Sequence, residues 1–113
     1  MSEPRLQSAL WVKACVRRAD LAGISATVVR RGDPTSGAIL IKLNRREHGC
    51  WVLSETQDKM GRRAWFRGSG KDGLPEAEAD GYIERHWRRD PDLWVVEIDD
   101  REGRRPFDEP LLD

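Results

Sequence analysis

Two stretches of the chain repeat apolar residues at the three- and four-residue spacing of an amphipathic helix. The first ends at Gly23, a residue type that commonly ends helices, and its start is fixed only loosely because the segment before Trp11 is also compatible with an extended backbone. The second opens with Pro75, which suits a first helical turn, and ends before Pro91, because a residue preceding proline disfavours helical backbone. The apolar faces comprise Ala9, Val12, Cys15, Val16 and Ala19 in the first helix, and Ala79, Tyr82, Ile83, His86 and Trp87 in the second.

Shorter runs with mostly period-two alternation predict five strands around these helices. The first two strands flank Gly32–Gly37, whose Gly, Asp, Pro and Ser residues are typical of turns, so we predict a hairpin there. The last strand carries a continuous apolar run, which favours a central strand buried on both faces. The predicted strands are Ile24–Arg31, Ala38–Asn44, Cys50–Thr56, Arg62–Arg67 and Leu93–Asp99.

These elements predict an α+β fold with the order α-β-β-β-β-α-β. We expect a single antiparallel sheet of four to five strands, with both helices packed on one face. A chain of 113 residues fits one domain, so residues 1–113 are predicted to form a single compact domain. Residues 100–113 are rich in charge, and we expect them to form a charged, partly flexible tail. Its candidate anchors are Phe107, Leu111 and Leu112.

The composition indicates a folded protein with an economical core, since 38% of residues are apolar, 35% are charged and five are tryptophan. The N-terminus lacks the basic and apolar segments of a signal peptide, and the apolar runs fall far short of the ~20 residues of a membrane helix. We therefore expect a cytoplasmic protein with no membrane association. Two cysteines fit reduced thiols better than a disulfide framework.

The charges are unevenly distributed although they cancel overall. Residues 1–71 hold fourteen basic and six acidic side chains, a net charge of +8, and residues 72–113 hold the reverse, a net charge of −8. Such asymmetry is typical of a surface that faces a polyanion, of an acidic tail, or of two parts that face each other.

Sixteen of the twenty basic residues are arginine, and arginines recur as doublets. Arginine binds phosphate and carboxylate groups bidentately. Arg30, Arg31, Arg45 and Arg46 flank the first two predicted turns and are therefore candidates for binding an anionic ligand or a protein partner. A GC-rich genome would produce the same doublets, and the sequence leaves that alternative open.

A second candidate surface lies on the fourth predicted strand. Arg63, Trp65 and Arg67 alternate along it and so share one face. An aromatic ring among arginines can bind single-stranded nucleic acid by base stacking and backbone neutralisation. The alternative is that Trp65 belongs to the core with arginine stems packed along it.

Motifs for catalysis, cofactors or metals are lacking in the sequence. Neither Gly32–Gly37 nor Gly68–Gly73 has the pattern of a phosphate-binding loop. The two cysteines and two histidines lack the paired spacing of zinc ligands, and no nucleophile signature is present. We expect no catalytic, cofactor-binding or metal-binding residue. A non-catalytic binding module is the leading hypothesis, nucleic-acid association is the second, and a small enzyme of unidentified class stays open.

Several strings of residues resemble a family of small bacterial proteins known as domain of unknown function 1491. The resemblance extends over roughly residues 5–99. It implies a single compact cytoplasmic domain, and it carries over no catalytic or binding residue because none is assigned to the family. The strings are Trp11-Val12 with Arg17-Arg18, Thr27–Asp33, Glu76–Asp80 with Tyr82-Ile83, and Asp90–Glu97, the last of which is the most specific.

Overall fold

Two helices and six strands make up the fold in a computed structural model, which describes residues 6–70 and 72–112. The α+β class, the two helices and the single sheet are confirmed, and a short sixth strand follows the predicted elements. A 3₁₀ turn, Arg46–His48, joins the second and third strands. The elements are α1 (Ser8–Leu21), β1 (Ser25–Arg30), β2 (Ile39–Asn44), β3 (Cys50–Gln57), β4 (Arg63–Arg67), α2 (Glu76–Arg89), β5 (Trp94–Asp99) and β6 (Leu111–Leu112).

The sheet is mixed and six-stranded, in the order β1-β5-β2-β3-β4-β6. The prediction of an antiparallel sheet of four to five strands is wrong, because β5 runs parallel to β2 and β6 runs parallel to β4. The apolar run of β5 explains the insertion, since a strand that is apolar on both faces gains most from having neighbours on both sides. The prediction that β5 lies inside the sheet is confirmed.

The predicted hairpin between β1 and β2 is also wrong, because β5 lies between these strands. The Gly32–Gly37 segment instead crosses over the start of β5. The amide of Asp33 donates to the carbonyl oxygen of Asp92 at 2.9 Å, and Trp94 Nε1 donates to the carbonyl oxygen of Asp33 at 2.7 Å. A Cβ atom on Gly32 would lie 2.1 Å from the Asp92 oxygen, so the crossing requires glycine there.

The two helices pack on opposite faces of the sheet, which corrects the prediction that they share one face. The side chains of β2 alternate between the two faces of the sheet, and each face carries its own apolar cluster. Ile39, Ile41 and Leu43 join the cluster under α1, whereas Leu40 joins the cluster under α2. Lys42 also points to the α2 side and is nearly buried there. We call these surfaces the α1 face and the α2 face.

The segment after β5, predicted to be a partly flexible tail, packs along the α1 face as far as Leu112. Phe107 is buried against Trp11 and Trp65, with ring centroids 5.7 and 5.4 Å away. β6 then pairs with β4, and Trp65 donates its amide to the carbonyl oxygen of Pro110 at 2.9 Å. Two of its candidate anchors, Phe107 and Leu111, therefore contribute to the apolar cluster on the α1 face.

Ion pairs join the basic first part of the chain to the acidic second part. Lys42 contacts three carboxylates of the second part, and Arg18, Arg30, Arg46 and Glu47 each have a partner there. The basic and acidic parts of the sequence therefore form ion pairs with each other within one fold. Neither described helix is long and apolar enough to cross a membrane.

Candidate functional site

The two candidate arginine doublets lie at opposite ends of the sheet. Arg30 ends β1 and Arg31 follows it, near the start of β5, whereas Arg45 and Arg46 follow β2 near the end of β5. β2 and β5 are paired along their full six residues, a span of roughly 20 Å at ~3.3 Å per residue. The four arginines therefore belong to two separate surfaces.

At the first surface Arg30 is held by its neighbours, and Arg31 is exposed. Arg30 Cζ lies 3.8 Å from the Trp87 ring centroid, and Arg30 Nη2 lies 3.1 Å from Glu84 Oε2. Arg31 has its guanidinium 5.8 Å from the Trp94 ring centroid. Among the described residues no carboxylate pairs with Arg31. Arg30 is thus paired with a carboxylate, which it shares with Arg88, whereas Arg31 has no such partner in the described part of the chain.

At the second surface Arg46 is paired but readily accessible. Its backbone has a φ of +56°, which makes it the one described non-glycine residue in the left-handed region. Arg46 Nε lies 3.0 Å from Asp99 Oδ1, and the two side chains are 56% and 39% exposed. Exposed pairs of this kind contribute little to stability, so a competing anion could replace Asp99 at little cost.

Arg45 has a different environment, in which an aromatic ring replaces the carboxylate. Its Cζ lies 3.8 Å from the Trp51 ring centroid, and its Nη2 donates to the carbonyl oxygen of His48 at 2.9 Å. Its Nε is buried and has no hydrogen-bond partner within residues 6–70 and 72–112. In the same ranges no carboxylate pairs with this guanidinium. Arg45 is therefore an oriented cation with no paired carboxylate in the part of the chain that the structure describes.

Arg67 approaches the same indole from the other neighbouring strand. Trp51 lies in β3, Arg45 follows β2, and Arg67 ends β4, with its Cζ 4.5 Å from the Trp51 ring centroid. All three side chains are half-buried. We call Arg45, Trp51 and Arg67 the arginine–tryptophan stack. Cation–π contacts of this kind contribute roughly 0.5–1 kcal/mol each at exposed sites.

Sequence reasoning named both arginines of this stack but assigned them to different surfaces and missed Trp51. The missing information is that β3 lies between β2 and β4. Alternation along β3 places Trp51 on the α1 face, where it packs against the apolar cluster. A diagonal position between neighbouring strands brings side chains within reach of each other.

The candidate nucleic-acid face does not offer an exposed ring. Trp65 is 0% exposed and packs on Trp11, with ring centroids 5.0 Å apart. Arg63 is buried as well, forms an ion pair with Glu55, and donates from Nη2 to the carbonyl oxygen of Leu6 at 3.2 Å. Of the three residues predicted to form this face, Arg67 is the one that is partly exposed, and its guanidinium contacts the ring of Trp51 instead of Trp65.

An open cleft of about 700 Å³ adjoins the stack at the end of β2 and the start of α2. His48 links the cleft to the stack, because it lines the cleft and its carbonyl oxygen accepts the hydrogen bond from Arg45. The first turn of α2 forms the opposite wall and has no side-chain cap. The lining includes Asn44, Arg46, Glu47, His48, Gly73 and Glu76.

Lys42 and its carboxylates form a second polar cluster that sequence reasoning did not single out. Lys42 Nζ lies 2.7 Å from both Glu76 Oε2 and Asp80 Oδ1 in α2, and 3.7 Å from Glu97 Oε1 in β5. Burial alone would lower the pKa of Lys42, but hydrogen bonds with Asp80 and Glu76 outweigh it and raise the pKa above its ordinary value. The lysine therefore stays charged and fixes α2 to the sheet.

Neither cysteine is prepared for nucleophilic chemistry. Burial, with a smaller contribution from Glu109, raises the pKa of Cys15 to about 12. Burial also raises the pKa of Cys50, which lines the cleft but is almost inaccessible. Among the described residues, no three His, Cys, Asp or Glu side chains are grouped so that they could hold a metal ion.

Comparison with solved structures identifies relatives of the same fold. A crystal structure of a DUF1491 family protein from Caulobacter crescentus CB15 matches with a TM-score of 0.84 and 44% identity, over 95% of this chain and 99% of that chain. An NMR structure of a DUF1491 family protein from the same organism matches with a TM-score of 0.83 and 42% identity, over 98% and 100%. The solution structure of protein Atu0922 from A. tumefaciens is more distant, with a TM-score of 0.69 and 29% identity over 85% of this chain and 86% of that chain.

No curated protein matches the sequence. The family profile described as "Protein of unknown function (DUF1491)" matches residues 6–108, which is nearly the whole chain. The profile and the two Caulobacter structures agree with the resemblance carried by the sequence strings. The chain therefore belongs to the DUF1491 family of proteins of unknown function.

Proposed function

We propose that the protein is a non-catalytic binding module of the bacterial cytoplasm that accepts an anionic group at the arginine–tryptophan stack. The anionic group is a phosphate or carboxylate, either free or displayed by a partner protein. The observation that carries the proposal is the environment of Arg45, which is held on Trp51 at 3.8 Å with no paired carboxylate among the described residues.

Preorganisation is the physical reason for favouring this site. Binding normally costs about 0.5–1.5 kcal/mol for each long side chain that must be immobilised. In the stack the Trp51 ring already orients both guanidinium groups, and the His48 carbonyl oxygen fixes one edge of Arg45. An incoming anion therefore meets a guanidinium group at Arg45 that is already positioned.

The neighbouring cleft provides room and additional donors. Arg46 lines it and can exchange its exposed Asp99 partner for a ligand at small cost. A phosphate or acidic side chain bound to Arg45 could thus extend toward Arg46 and His48. A volume of about 700 Å³ falls within the range of ligand sites in proteins.

The buried groups support a non-catalytic role. Both thiols have a raised pKa, and Lys42 is held in its charged form by two carboxylates. None of these three groups is a ready nucleophile or base near neutral pH. The bacterial cytoplasm is proposed because the relatives come from Caulobacter and A. tumefaciens and both cysteines are free thiols.

The test is an NMR titration of ¹⁵N-labelled protein with pyrophosphate at low ionic strength. We expect shifts of the Trp51 indole Nε1–H and of the amides from Arg45 to Gly49. Arg45→Ala should weaken binding about tenfold or more, as expected for loss of a charge-assisted contact worth ~1.5–3 kcal/mol. Arg45→Lys should restore part of the affinity, because it keeps the charge but loses the planar fork.

Arg31→Ala is the matched control. Arg31 also lacks a carboxylate partner among the described residues and lies near a tryptophan ring, but it sits at the opposite end of the sheet. Equal affinity of wild type and Arg45→Ala, or an equal loss in Arg31→Ala, would contradict the proposal.

Two further titrants separate the sources of the anion. A phosphoserine peptide that binds more tightly than pyrophosphate would indicate a partner protein, and the reverse order would indicate a free anion. A single-stranded oligonucleotide should bind no better than expected from its phosphates, because Trp65 is buried and two guanidinium groups cover the Trp51 ring.

A further inference from the structure

The edge of the sheet formed by β1 has little protection against strand pairing ahead of the register shift between Val28 and Arg30. Within the described residues β1 pairs with β5 alone, so its other edge carries unpaired backbone donors and acceptors. Ser25, Thr27 and Val29 are exposed, and Val29 is 53% accessible. No proline or charged residue occurs from Ser25 to Val29, although such residues normally guard an edge strand.

The two ends of this edge carry opposite charges. Asp20, in the last turn of α1, lies next to the start of β1, since its carbonyl oxygen accepts from the Gly23 amide at 3.1 Å. Arg31 follows the last residue of β1. Both side chains are exposed, and neither has an ion-pair partner in the described part of the chain. An edge with opposite charges at its ends is complementary to itself when it is turned through 180°.

We infer that β1 is the interface between two copies of this chain. The two β1 strands pair antiparallel about a two-fold axis beside Thr27, and the two sheets become continuous. In that register Arg31 of one copy lies opposite Gly23 of the other and therefore close to its Asp20. The symmetry produces this contact twice, as an isologous interface requires.

Self-complementarity is what favours a second copy over an unrelated extended peptide. A foreign strand would have to supply an acid and a base at the same separation, whereas a second copy supplies them by symmetry. Pairing along six residues buries little surface compared with the ~1,600 Å² of a standard interface, so the dimer should be weak and concentration-dependent.

Sedimentation velocity over a wide concentration range tests this inference on the 113-residue chain. We expect a monomer at low concentration and a reversible dimer at high concentration. Thr27→Lys should abolish the dimer, because it sets two lysines face to face at the axis of an exposed strand. Circular dichroism should show that this surface variant keeps its fold.

A charge exchange gives the sharper test. Arg31→Glu and Asp20→Arg should each weaken dimerisation roughly tenfold, since each replaces two attractive contacts by two repulsive ones. The combined variant R31E/D20R should recover the wild-type dimer. A protein that stays monomeric at every concentration would overturn the inference, as would a dimer that tolerates Thr27→Lys or that the combined variant fails to restore. Arg45 is not at this edge, so Arg45→Ala should leave dimerisation unchanged, and this test is independent of anion binding.

Discussion

The two faces of the sheet are held by different forces. On the α1 face three aromatic rings contact one another, with Trp11, Trp65 and Phe107 at centroid distances of 5.0 to 5.7 Å. On the α2 face the apolar cluster is smaller, and Lys42 lies within that face with carboxylates of α2 and β5 around it. One face relies on apolar burial, and the other relies partly on directed ion pairs.

This difference indicates which side of the molecule is free to adapt. The free energy gained by apolar burial is proportional to the buried area and is lost when that area is exposed to water. Ion pairs between partly exposed groups, in contrast, can be replaced by contacts with water at low cost. Glu76 and Asp80 are each about half exposed although Lys42 is not. The start of α2, which forms one wall of the cleft, should therefore open more easily than the α1 face that supports the arginine–tryptophan stack.

The largest expected effect comes from removing Trp65. Trp65→Ala should lower the free energy of unfolding by about 4 kcal/mol, as large-to-small changes of fully buried aromatic residues do. Phe66→Ala is the control, because Phe66 is the next residue of β4, points to the α2 face and is 49% exposed. Its expected cost is about 1 kcal/mol or less. Urea unfolding measures both, and equal losses would contradict the contrast between the faces.

Phe107→Ala should have the next largest effect, with a loss of about 3 kcal/mol. Phe107 is nearly buried and lies in the segment after β5, so the result shows whether that segment belongs to the α1-face core. Leu112→Ala should cost much less, because Leu112 is exposed. Thermal unfolding followed by near-ultraviolet circular dichroism reports the loss of tryptophan packing. A change in Phe107→Ala no larger than that in Leu112→Ala would place the segment outside the core.

Lys42→Met should cost about 2 kcal/mol. Removing one partner of a buried ion pair costs ~3–5 kcal/mol, and we reduce that figure because the carboxylates are partly exposed. Adding Glu76→Gln and Asp80→Asn should recover much of the loss by relieving repulsion. Urea unfolding at pH 7 measures each variant. An unchanged stability in Lys42→Met would show that the ion pairs do not fix α2.

The Lys42→Met variant also tests how the contribution of Lys42 to the free energy of unfolding depends on pH. The folded-state pKa of Lys42 is raised, so its stabilising contribution is complete below the ordinary lysine pKa of ~10.4 and is lost only as the pH rises through the folded pKa. The difference between wild type and Lys42→Met should therefore not fall between pH 7 and pH 9. A difference that disappears within that range would contradict the assigned charge state.

The smallest expected effect is a difference in alkylation rate between the two cysteines of the wild-type protein. Cys15 belongs to the α1-face cluster and Cys50 to the α2-face cluster, and both are buried. Alkylation under native conditions should modify Cys50 first, because opening of α2 costs less than opening of the α1 face. A difference of about 1.4 kcal/mol corresponds to a tenfold ratio of rates. Peptide mass spectrometry resolves the two sites, and equal rates would favour a single global opening.

Local patterns along the chain predicted most elements but not their arrangement. Apolar spacing and Pro75 predicted the second helix, and α2 begins one residue later. Cys50 begins the third strand as predicted. Strand order could not be predicted in this way, because the position of β5 between β1 and β2 depends on contacts between residues 55 to 74 positions apart. The turn residues of Gly32–Gly37 are common to hairpins and to close crossings, so they could not distinguish the two.

The candidate site was predictable in its residue types and not in its geometry. The arginine doublets directed attention to Arg45, and strand alternation directed attention to Arg67. Only the placement of β3 between β2 and β4 brings both onto Trp51. Lys42 stands out only as a charged residue in a largely apolar strand, and its role depends on α2 lying on the opposite side of the sheet from α1.

Native-state hydrogen exchange tests the contrast between the two faces most directly. Amide exchange is measured for α1 and α2 at several low concentrations of denaturant, which separates local from global opening. We predict that the α2 amides exchange through a local opening with a smaller free energy than those of α1, and that Lys42→Met lowers the α2 value further. Identical opening free energies for the two helices would contradict the account.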